Sequence, residues 1–301
     1  MTQDSDLQVT TDSSPNKTVP SASVSTQDSD LSATPSPATG LDLYNASRSG
    51  DLETVMRIIS AGHVNINYRG WHSRTPVMAA AWEGQSDVVE FLVGSGADVS
   101  LLDKSGNNIL HLACWGAGDL ETVELILSLN LLDINSREQN KRTPVMAAAW
   151  KGHRGVVELL VVRGADVSLV DGDGDNILHL ACWGAGDLET VELILSLNKV
   201  DINSRGLWAR TPVMLAAWKG HRDVVELLVG RGADVSLVAK DGDNVLHYAC
   251  LGGDLETVKL ILLLNKVDIN ARNNYGQTAA DKARGGGHQQ VLDLLVSRGT
   301  H

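Results

Sequence analysis

Three pairs of histidine and cysteine are the side chains of this chain whose types and spacing could do chemistry. The members of each pair stand three residues apart, and the pairs follow one another at intervals of 68 residues. They are His111 with Cys114, His179 with Cys182, and His247 with Cys250. Residues at i and i+3 share one face of a helix, where they could ligate zinc or act as a nucleophile and its base. Whether they do so depends on the elements that hold them.

The segments that carry these pairs belong to a repeat. One segment reads NILHLAC at Asn108 and Asn176, and NVLHYAC at Asn244. A second segment reads TPVMAAAW at Thr75 and Thr143, and TPVMLAAW at Thr211. The NILH-type and TPVM-type segments alternate at offsets of 33 to 35 residues, so each interval of 68 residues holds two repeats of about 34. A period in this range indicates a stacked array, in which each unit buries its apolar face against its neighbours.

Each repeat is predicted to form a pair of short helices. Thr75-Pro76 is an N-cap and first-turn signal for the first helix. Gly84, like its counterparts Gly152 and Gly220, should end that helix. The second helix, such as SDVVEFLVGSG, has apolar residues at helical spacing, as in Val89 and Leu92. A polar turn such as DKSGN then leads into the next repeat.

Four segments carry a resemblance to a known family. TPVMAAAWEG, ILHLACWGAGD, VVELLVGRGADVSL and YGQTAADKARGGGH resemble the ankyrin repeat pattern. The resemblance covers residues 41–301 in about eight units, of which the first and last resemble capping repeats. It implies an all-α solenoid of stacked helix-turn-helix units with β-turn or hairpin loops. The departures are single insertions at Ala117 and Ala185, and methionine in place of the family's histidine at Met78, Met146 and Met214.

The composition argues against several classes of partner. The formal charge of −12 does not attract phosphate backbones, so no nucleic acid is expected as a partner. The sequence has no run of about 18 apolar residues and no basic, apolar leader, so no membrane partner is expected. Three cysteines copied with the repeat indicate reduced core residues in a cytoplasmic or nuclear protein. We expect a monomer without cofactor or metal.

Residues 1–40 form a segment of different composition, rich in Ser, Thr, Asp and Pro. It has few large apolar side chains to offset the entropy of ordering, so it is predicted to be disordered, with the repeat domain at residues 41–301. Ser14-Pro15, Thr34-Pro35 and Ser36-Pro37 have the form of proline-directed phosphorylation sites. The segment is either a solvated tail or a phospho-regulated docking segment.

Seven tryptophans fall at two kinds of position. Five follow the paired small residues of the first helix, Leu251 takes that position in the next repeat, and two lie in turns. They are Trp82, Trp115, Trp150, Trp183 and Trp218 in the helices, and Trp71 and Trp208 in the turns. The ankyrin resemblance implies that both positions face the concave groove where the family binds partners. Repeats ~8–10 Å apart predict a ladder of rings too far apart to stack directly. Exposed tryptophan is typical of binding hot spots, but the rings could also simply cover the Ala-rich helices.

Basic residues accompany these tryptophans. Arg74, Arg142 and Arg210 lie just before the TPVM-type helices, and Lys151 and Lys219 follow two of the rings. Arginine beside tryptophan suits an extended partner segment with apolar side chains and a few carboxylates. Alternatively, the arginines pair with acids of the successive turns, where Asn107, Asp175 and Asp243 stand.

The histidine–cysteine pairs can now be placed. In a stack of repeats they lie ~20 Å apart, so they cannot share one zinc ion. The resemblance implies that this histidine forms hydrogen bonds between repeats and that the cysteine packs in the core. The sequence therefore predicts a non-enzymatic scaffold or adaptor that binds a protein segment on the groove. The alternatives are a regulatory protein whose acidic tail masks the groove until phosphorylated, and a reader of modified lysine that uses paired tryptophans.

Overall fold

A computed structural model describes residues 37–299. These residues form sixteen α-helices in eight consecutive pairs, one pair in each repeat. The pairs are α1 (Gly40–Ser49) and α2 (Leu52–Ser60); α3 (Pro76–Glu83) and α4 (Ser86–Gly94); α5 (Ile109–Trp115) and α6 (Leu120–Ser128); α7 (Pro144–Lys151) and α8 (Arg154–Val162); α9 (Ile177–Trp183) and α10 (Leu188–Ser196); α11 (Pro212–Lys219) and α12 (Arg222–Gly230); α13 (Val245–Gly252) and α14 (Leu255–Leu263); and α15 (Ala279–Gly285) and α16 (Gln289–Ser297). The predicted all-α repeat architecture is confirmed.

Little other regular structure occurs within residues 37–299. Two single 3-10 turns occupy Trp71–Ser73 and Leu207–Ala209, and one antiparallel bridge joins Val170 and Asn176. The first helix is capped by Thr39, whose side chain accepts a hydrogen bond from the Asp42 amide. The predicted disordered tail, residues 1–40, lies outside the described residues except for its last four.

The first helix of each pair, here called the inner helix, stacks directly on the inner helices before and after it. Its small residues permit this, since Ala79, Ala80 and Ala81 of α3 are each at most 3% exposed. The inner helices pack more extensively on one another than the second, or outer, helices do. The inner helices therefore form one continuous layer, against which the outer helices pack.

The outer helices are amphipathic. In α4, Val88, Val89 and Leu92 are almost completely buried, while Glu90 is exposed. Burial of each such side chain stabilises the fold by roughly 1.5–3 kcal/mol. Helices of nine residues are marginal in isolation, so contact with the inner layer keeps them folded.

The predicted helix boundaries agree with the structure, with one difference in capping. Thr75 accepts a hydrogen bond from the Met78 amide at the start of α3, and Gly84 ends that helix in the left-handed conformation, with φ of 75°. At the matching positions in α7 and α11, the Thr143 and Thr211 hydroxyls are buried without a hydrogen-bond partner among the described residues. In α7 the fixed backbone of Pro144 begins the helix without a side-chain cap.

The inserted alanines join a TPVM-type repeat to the NILH-type repeat that follows. The Ala117 amide donates to the Trp82 carbonyl oxygen at 2.8 Å, and Ala185 does the same to Trp150. Gly116 lies so close to the same carbonyl that a Cβ atom would collide with it. The insertion therefore satisfies a carbonyl that the end of α3 leaves free, and it fixes one repeat against the next.

Candidate partner-binding face

The five helical tryptophans lie in the last turns of their inner helices, at the edge of the core. Each indole is partly exposed, as is Leu251 in the next repeat, while the residue before each ring is at most 1% exposed. Four of the rings, those of Trp82, Trp115, Trp183 and Trp218, also pack against the core, so they contact the core on one side and solvent on the other. We call this row the tryptophan face; it comprises Trp82, Trp115, Trp150, Trp183 and Trp218.

The rings of this face are not evenly spaced. The ring centroids of Trp115 and Trp150 are 5.6 Å apart, and those of Trp183 and Trp218 are 4.8 Å apart. The expectation that rings in successive repeats are too far apart to stack is therefore wrong for these two pairs. An indole extends several ångströms from its backbone, so rings on helices ~8–10 Å apart can lean together. Both pairs join an NILH-type repeat to the TPVM-type repeat that follows it.

Every ring of the face also lies beneath a cation of this chain. In the TPVM-type repeats the cation is the arginine of the preceding turn: Arg74 lies 4.1 Å from the Trp82 centroid, Arg142 5.0 Å from Trp150, and Arg210 4.9 Å from Trp218. In the NILH-type repeats it is a lysine of the next repeat, with Lys151 5.5 Å from Trp115 and Lys219 3.9 Å from Trp183. Such contacts contribute about 0.5–1 kcal/mol each at exposed sites.

Buried histidines hold the backbone of two of these arginines, Arg142 and Arg210. The Nε2 atom of His179 lies 3.1 Å from the Arg210 carbonyl oxygen, and the Asn176 amide donates to its Nδ1 atom at 3.3 Å. The same Nδ1 atom also lies 2.8 Å from the Asn176 Oδ1 atom. His111 makes the same contact with the Arg142 carbonyl oxygen. Burial lowers the pKa of both histidines, so the neutral ring is favoured. The expected hydrogen bonds between repeats are thus present.

The arginine side chains find acidic partners at a different position from the one expected. The Nε atom of Arg74 lies 3.4 Å from an Asp103 oxygen, and that of Arg142 lies 3.1 Å from an Asp171 oxygen. Both carboxylates are almost completely buried, at 1% and 0% side-chain exposure. The predicted place of pairing, occupied by Asn107 and its counterparts, is wrong because the turn folds its first residue, not its last, toward the arginine.

Arg210 is an exception among the three arginines. The residue at the position of Asp103 and Asp171 is Ala239, so no carboxylate lies within ion-pair distance in the described part of the chain. Instead, its Nε–H donates to the Tyr248 hydroxyl at 3.0 Å. The Tyr248 ring lies 5.6 Å from Trp218 and extends that aromatic pair to three rings. Burial raises the pKa of Tyr248 to about 12, so the phenol stays neutral.

The two turn tryptophans occupy different environments. Trp71 is 68% exposed and lines a shallow cavity with Tyr44, Arg74 and Trp82, which places it beside the tryptophan face. Trp208 is 53% exposed, and its ring lies 5.5 Å from the Lys240 ammonium group. Counted by the repeat, the residue that matches Trp71 is Leu207, so the two tryptophans are not equivalent positions.

The histidine–cysteine pairs lie in the core, away from this face. Cys114, Cys182 and Cys250 are buried free thiols. Burial raises their pKa values, to about 12 for Cys250, which disfavours the thiolate needed for metal binding or attack. No group of three or more metal-ligating side chains occurs within residues 37–299. His153, His221 and His288 instead contact backbone carbonyl oxygens of the preceding repeat.

Sequence reasoning missed four residues that shape the face: Asp103, Asp171, Ala239 and Tyr248. A signal for them was present in the repeats themselves. Aligned at 68 residues, the copies read Asp, Asp, Ala at one position and Leu, Leu, Tyr at another. Both changes occur in the copy that contains Arg210, whose Nε–H donates to the Tyr248 hydroxyl.

Comparison with known proteins places this architecture in a family. A model of ankyrin repeats, in three copies, matches residues 43–137, 110–206 and 213–301. The chain belongs to the ankyrin repeat family. Ankyrin repeats generally act as protein–protein interaction modules, and their fold is typical of non-enzymatic domains.

Three curated relatives match long stretches of this ankyrin repeat chain. It is 30% identical over 228 residues to the human transient receptor potential cation channel subfamily A member 1, a match of 74% of this chain and 20% of the relative. It is 30% identical over 212 residues to the B-cell lymphoma 3 protein homolog of Mus musculus, covering 67% and 47%. It is 29% identical over 280 residues to a Danio rerio protein named as a palmitoyltransferase, ZDHHC13, covering 92% and 37%. The chain thus spans less than half the length of each relative. No helix of residues 37–299 is long and apolar enough to cross a membrane.

Proposed function

We propose that this ankyrin repeat protein is a non-enzymatic scaffold or adaptor whose tryptophan face binds a segment of a partner protein. The observation that carries the proposal is a continuous row of partly exposed indoles with cations on the inner helices of one stack. Tryptophan and arginine are the residues most enriched at binding hot spots. The buried thiols suit a reducing compartment, the cytoplasm or the nucleus.

The row of rings fits an extended or helical segment better than a small molecule. Its five rings span four repeat intervals, or roughly 40 Å at the usual helix spacing. The proposal places the anchoring contacts on the five rings and on Leu251, with Trp71 and Trp208 at the turns and Arg74, Arg142, Arg210, Lys151 and Lys219 as polar contacts. The alternative of a modified-lysine reader is disfavoured, because the paired tryptophan rings already lie beneath cations of this chain.

The test compares two double variants. Trp150→Ala with Trp183→Ala removes two rings of the face, whereas Val162→Ala with Leu263→Ala removes two side chains of outer helices that are 77% and 73% exposed. We expect the wild type and the outer-helix variant to capture the same partner from cell lysate, and the tryptophan variant to lose it while still melting as a folded protein. Equal capture by both variants, with a large loss of stability from the tryptophan changes, would leave the rings a packing role only.

A second candidate is regulation of this face by residues 1–40. The segment contains five aspartates and one lysine, while Lys151 and Lys219 make no ion pair among the described residues. Under this hypothesis the acidic segment competes with the partner for the face. Deletion of residues 1–36 should then strengthen partner binding severalfold in a tryptophan fluorescence titration. Identical titrations of the two proteins would rule the hypothesis out.

A further inference from the structure

The internal duplication provides two versions of one cluster that differ in charge. The first contains Trp115, Lys151, Trp150, Arg142 and Asp171. The second, one duplication later, contains Trp183, Lys219, Trp218 and Arg210, with Tyr248 added and Ala239 at the position of Asp171. The first cluster has two cations and one buried carboxylate. The second has two cations and no carboxylate.

Two acids close to Tyr248, Asp241 and Asp243, are already engaged elsewhere. The Asp243 carboxylate lies 2.7 Å from the Lys282 ammonium group and accepts a hydrogen bond from Asn273 at 2.8 Å. Asp241 accepts the Asp243 amide within its own turn at 3.1 Å. Neither lies within ion-pair distance of Arg210 or Lys219. The second cluster therefore holds two positive charges that no group of residues 37–299 neutralises directly.

The guanidinium group of Arg210 is held in place by its neighbours and keeps free hydrogen-bond donors. It lies 4.9 Å from the Trp218 ring and 5.5 Å from the Tyr248 ring, and its Nε–H is bonded to the Tyr248 hydroxyl. Its Nη groups make no hydrogen bond within the described residues. Lys219 is exposed at the other end of the same pair of indoles. Two cations thus flank an aromatic surface and present free N–H donors.

We infer that Arg210 and Lys219 form an anionic-side-chain subsite on the tryptophan face, which receives an aspartate or glutamate of the partner segment. The inference rests on the proposed function and specifies the chemistry of the partner. The carboxylate accepts hydrogen bonds from the free Nη groups of Arg210, and apolar residues beside it lie on Trp183 and Trp218. Guanidinium and carboxylate form strong, directed hydrogen bonds. A singly charged carboxylate suits the site better than a phosphate dianion, because Asp241 and Asp243 lie close to Tyr248.

The subsite also specifies where along the tryptophan face an acidic side chain of the partner binds. At the first cluster Asp171 already neutralises Arg142, so a second carboxylate there meets repulsion and gains little. The same holds for Arg74 with Asp103. One acidic side chain is therefore selected at the second cluster, and the remaining contacts along the face are with apolar side chains.

The test uses two capped hexapeptides as probes, one with alternating leucine and glutamate and one with alternating leucine and glutamine. Binding to the full chain is followed through the indole N–H signals in ¹H–¹⁵N spectra. We expect the glutamate peptide to bind at least about tenfold more tightly than the glutamine peptide and to shift the signals of Trp183 and Trp218 more than those of Trp115 and Trp150.

The decisive variant is Ala239→Asp, which installs the carboxylate found at positions 103 and 171. It should abolish the preference for glutamate without unfolding the protein, since the other two copies accept aspartate there. Val238→Asp is the matched control, because it adds the same charge at an exposed neighbouring position and should keep the preference. Lys219→Gln, at an exposed site, should weaken binding of the glutamate peptide severalfold. This variant tests the subsite independently of position 239.

Equal affinity for the two peptides, or a glutamate preference that survives both Ala239→Asp and Lys219→Gln, would overturn the subsite. Tighter binding of a phosphoserine peptide than of the glutamate peptide would overturn the choice of carboxylate. These outcomes are distinct from failure of the proposed function. A partner that needs Trp150 and Trp183 but ignores Ala239→Asp refutes the subsite alone, whereas a partner that ignores the tryptophans refutes the binding face.

Discussion

The Arg142 cluster and the Arg210 cluster occupy matching positions in the two copies of the duplication. In each, an arginine lies over an indole, and a buried histidine holds the arginine carbonyl oxygen. They differ in what meets the guanidinium group, which is the Asp171 carboxylate in one and the Tyr248 phenol in the other. The comparison shows that the same backbone can hold an arginine either as half of a neutral pair or as an uncompensated cation. Two substitutions, one from aspartate and one from leucine, account for the change.

The largest expected effect comes from removing each arginine in turn. Arg142→Ala leaves the Asp171 carboxylate buried without its cation, which should cost about 3 kcal/mol of unfolding free energy. Arg210→Ala leaves only a neutral hydroxyl without a donor, and should cost about 1 kcal/mol. Urea denaturation of the two variants measures the difference.

Equal losses from the two substitutions would contradict this comparison. A further control transfers the second arrangement into the first copy. Asp171→Ala alone should destabilise the protein, and addition of Leu180→Tyr should recover part of the loss, since Tyr248 stands where Leu180 does one copy earlier. If the double variant is no more stable than Asp171→Ala, the phenol does not substitute for the carboxylate.

Acid should affect the two copies unequally. Burial lowers the pKa of His111 and of His179, so below about pH 6.5 the unfolded chain binds more protons than the folded one. The stability that the neutral rings provide is present above that pH and is lost as the pH falls through their lowered pKa values. Asp175 lies beside His179, whereas Asn107 stands at the matching place near His111. The Asp175 carboxylate acts to raise the pKa of His179, which partly offsets the lowering by burial, so this ring loses less stability as the pH falls.

We therefore expect His111→Gln to reduce the drop in unfolding free energy between pH 7.5 and 5.5 more than His179→Gln does. Each variant is compared with itself at the two pH values, so the cost of replacing a buried side chain cancels. A larger reduction from His179→Gln would show that Asp175 does not act as an offset. Glu138 and Asp103, which act to raise the pKa of His111, stay unchanged in both variants.

The smallest expected effect concerns the lysines over the NILH-type rings. Lys219 lies 3.9 Å from the Trp183 centroid and Lys151 lies 5.5 Å from that of Trp115. Replacement by methionine keeps most of the apolar stem and removes the charge, so Lys219→Met should cost about 0.5 kcal/mol and Lys151→Met less. Urea denaturation followed by tryptophan emission measures both. A greater cost from Lys151→Met would mean that the shorter distance carries no energetic advantage.

Much of this fold was predictable because its signals are local and repeated. Thr75-Pro76 marks a helix start and Gly84 a helix end through backbone geometry that does not depend on distant residues. The position of the tryptophans at the ends of the inner helices followed from the same spacing. The tail, residues 1–40, stays a prediction, since nearly all of it lies outside the described residues.

The arrangement of the face was harder to predict because it depends on side-chain direction. Helix spacing alone separates Trp183 from Trp218 by more than a stacking distance, but their rings lean to 4.8 Å. The choice of Asp171 rather than Asp175 as the partner of Arg142 depends on how one turn folds over the next. Tyr248 was visible only by comparing copies, where it replaces a leucine.

The alternation of junctions has a consequence for how such a chain can grow. Ala117 and Ala185 each bind the helix end before them, and Lys151 and Lys219 each cover the indole before them. The third NILH-type repeat has neither the inserted alanine nor the indole. Unequal crossing-over that gained or lost one repeat would set two like units side by side and leave one of these contacts unmade. Gain or loss of two repeats preserves both. A step of two repeats adds or removes ~20 Å of face and keeps the alternation of the two repeat types.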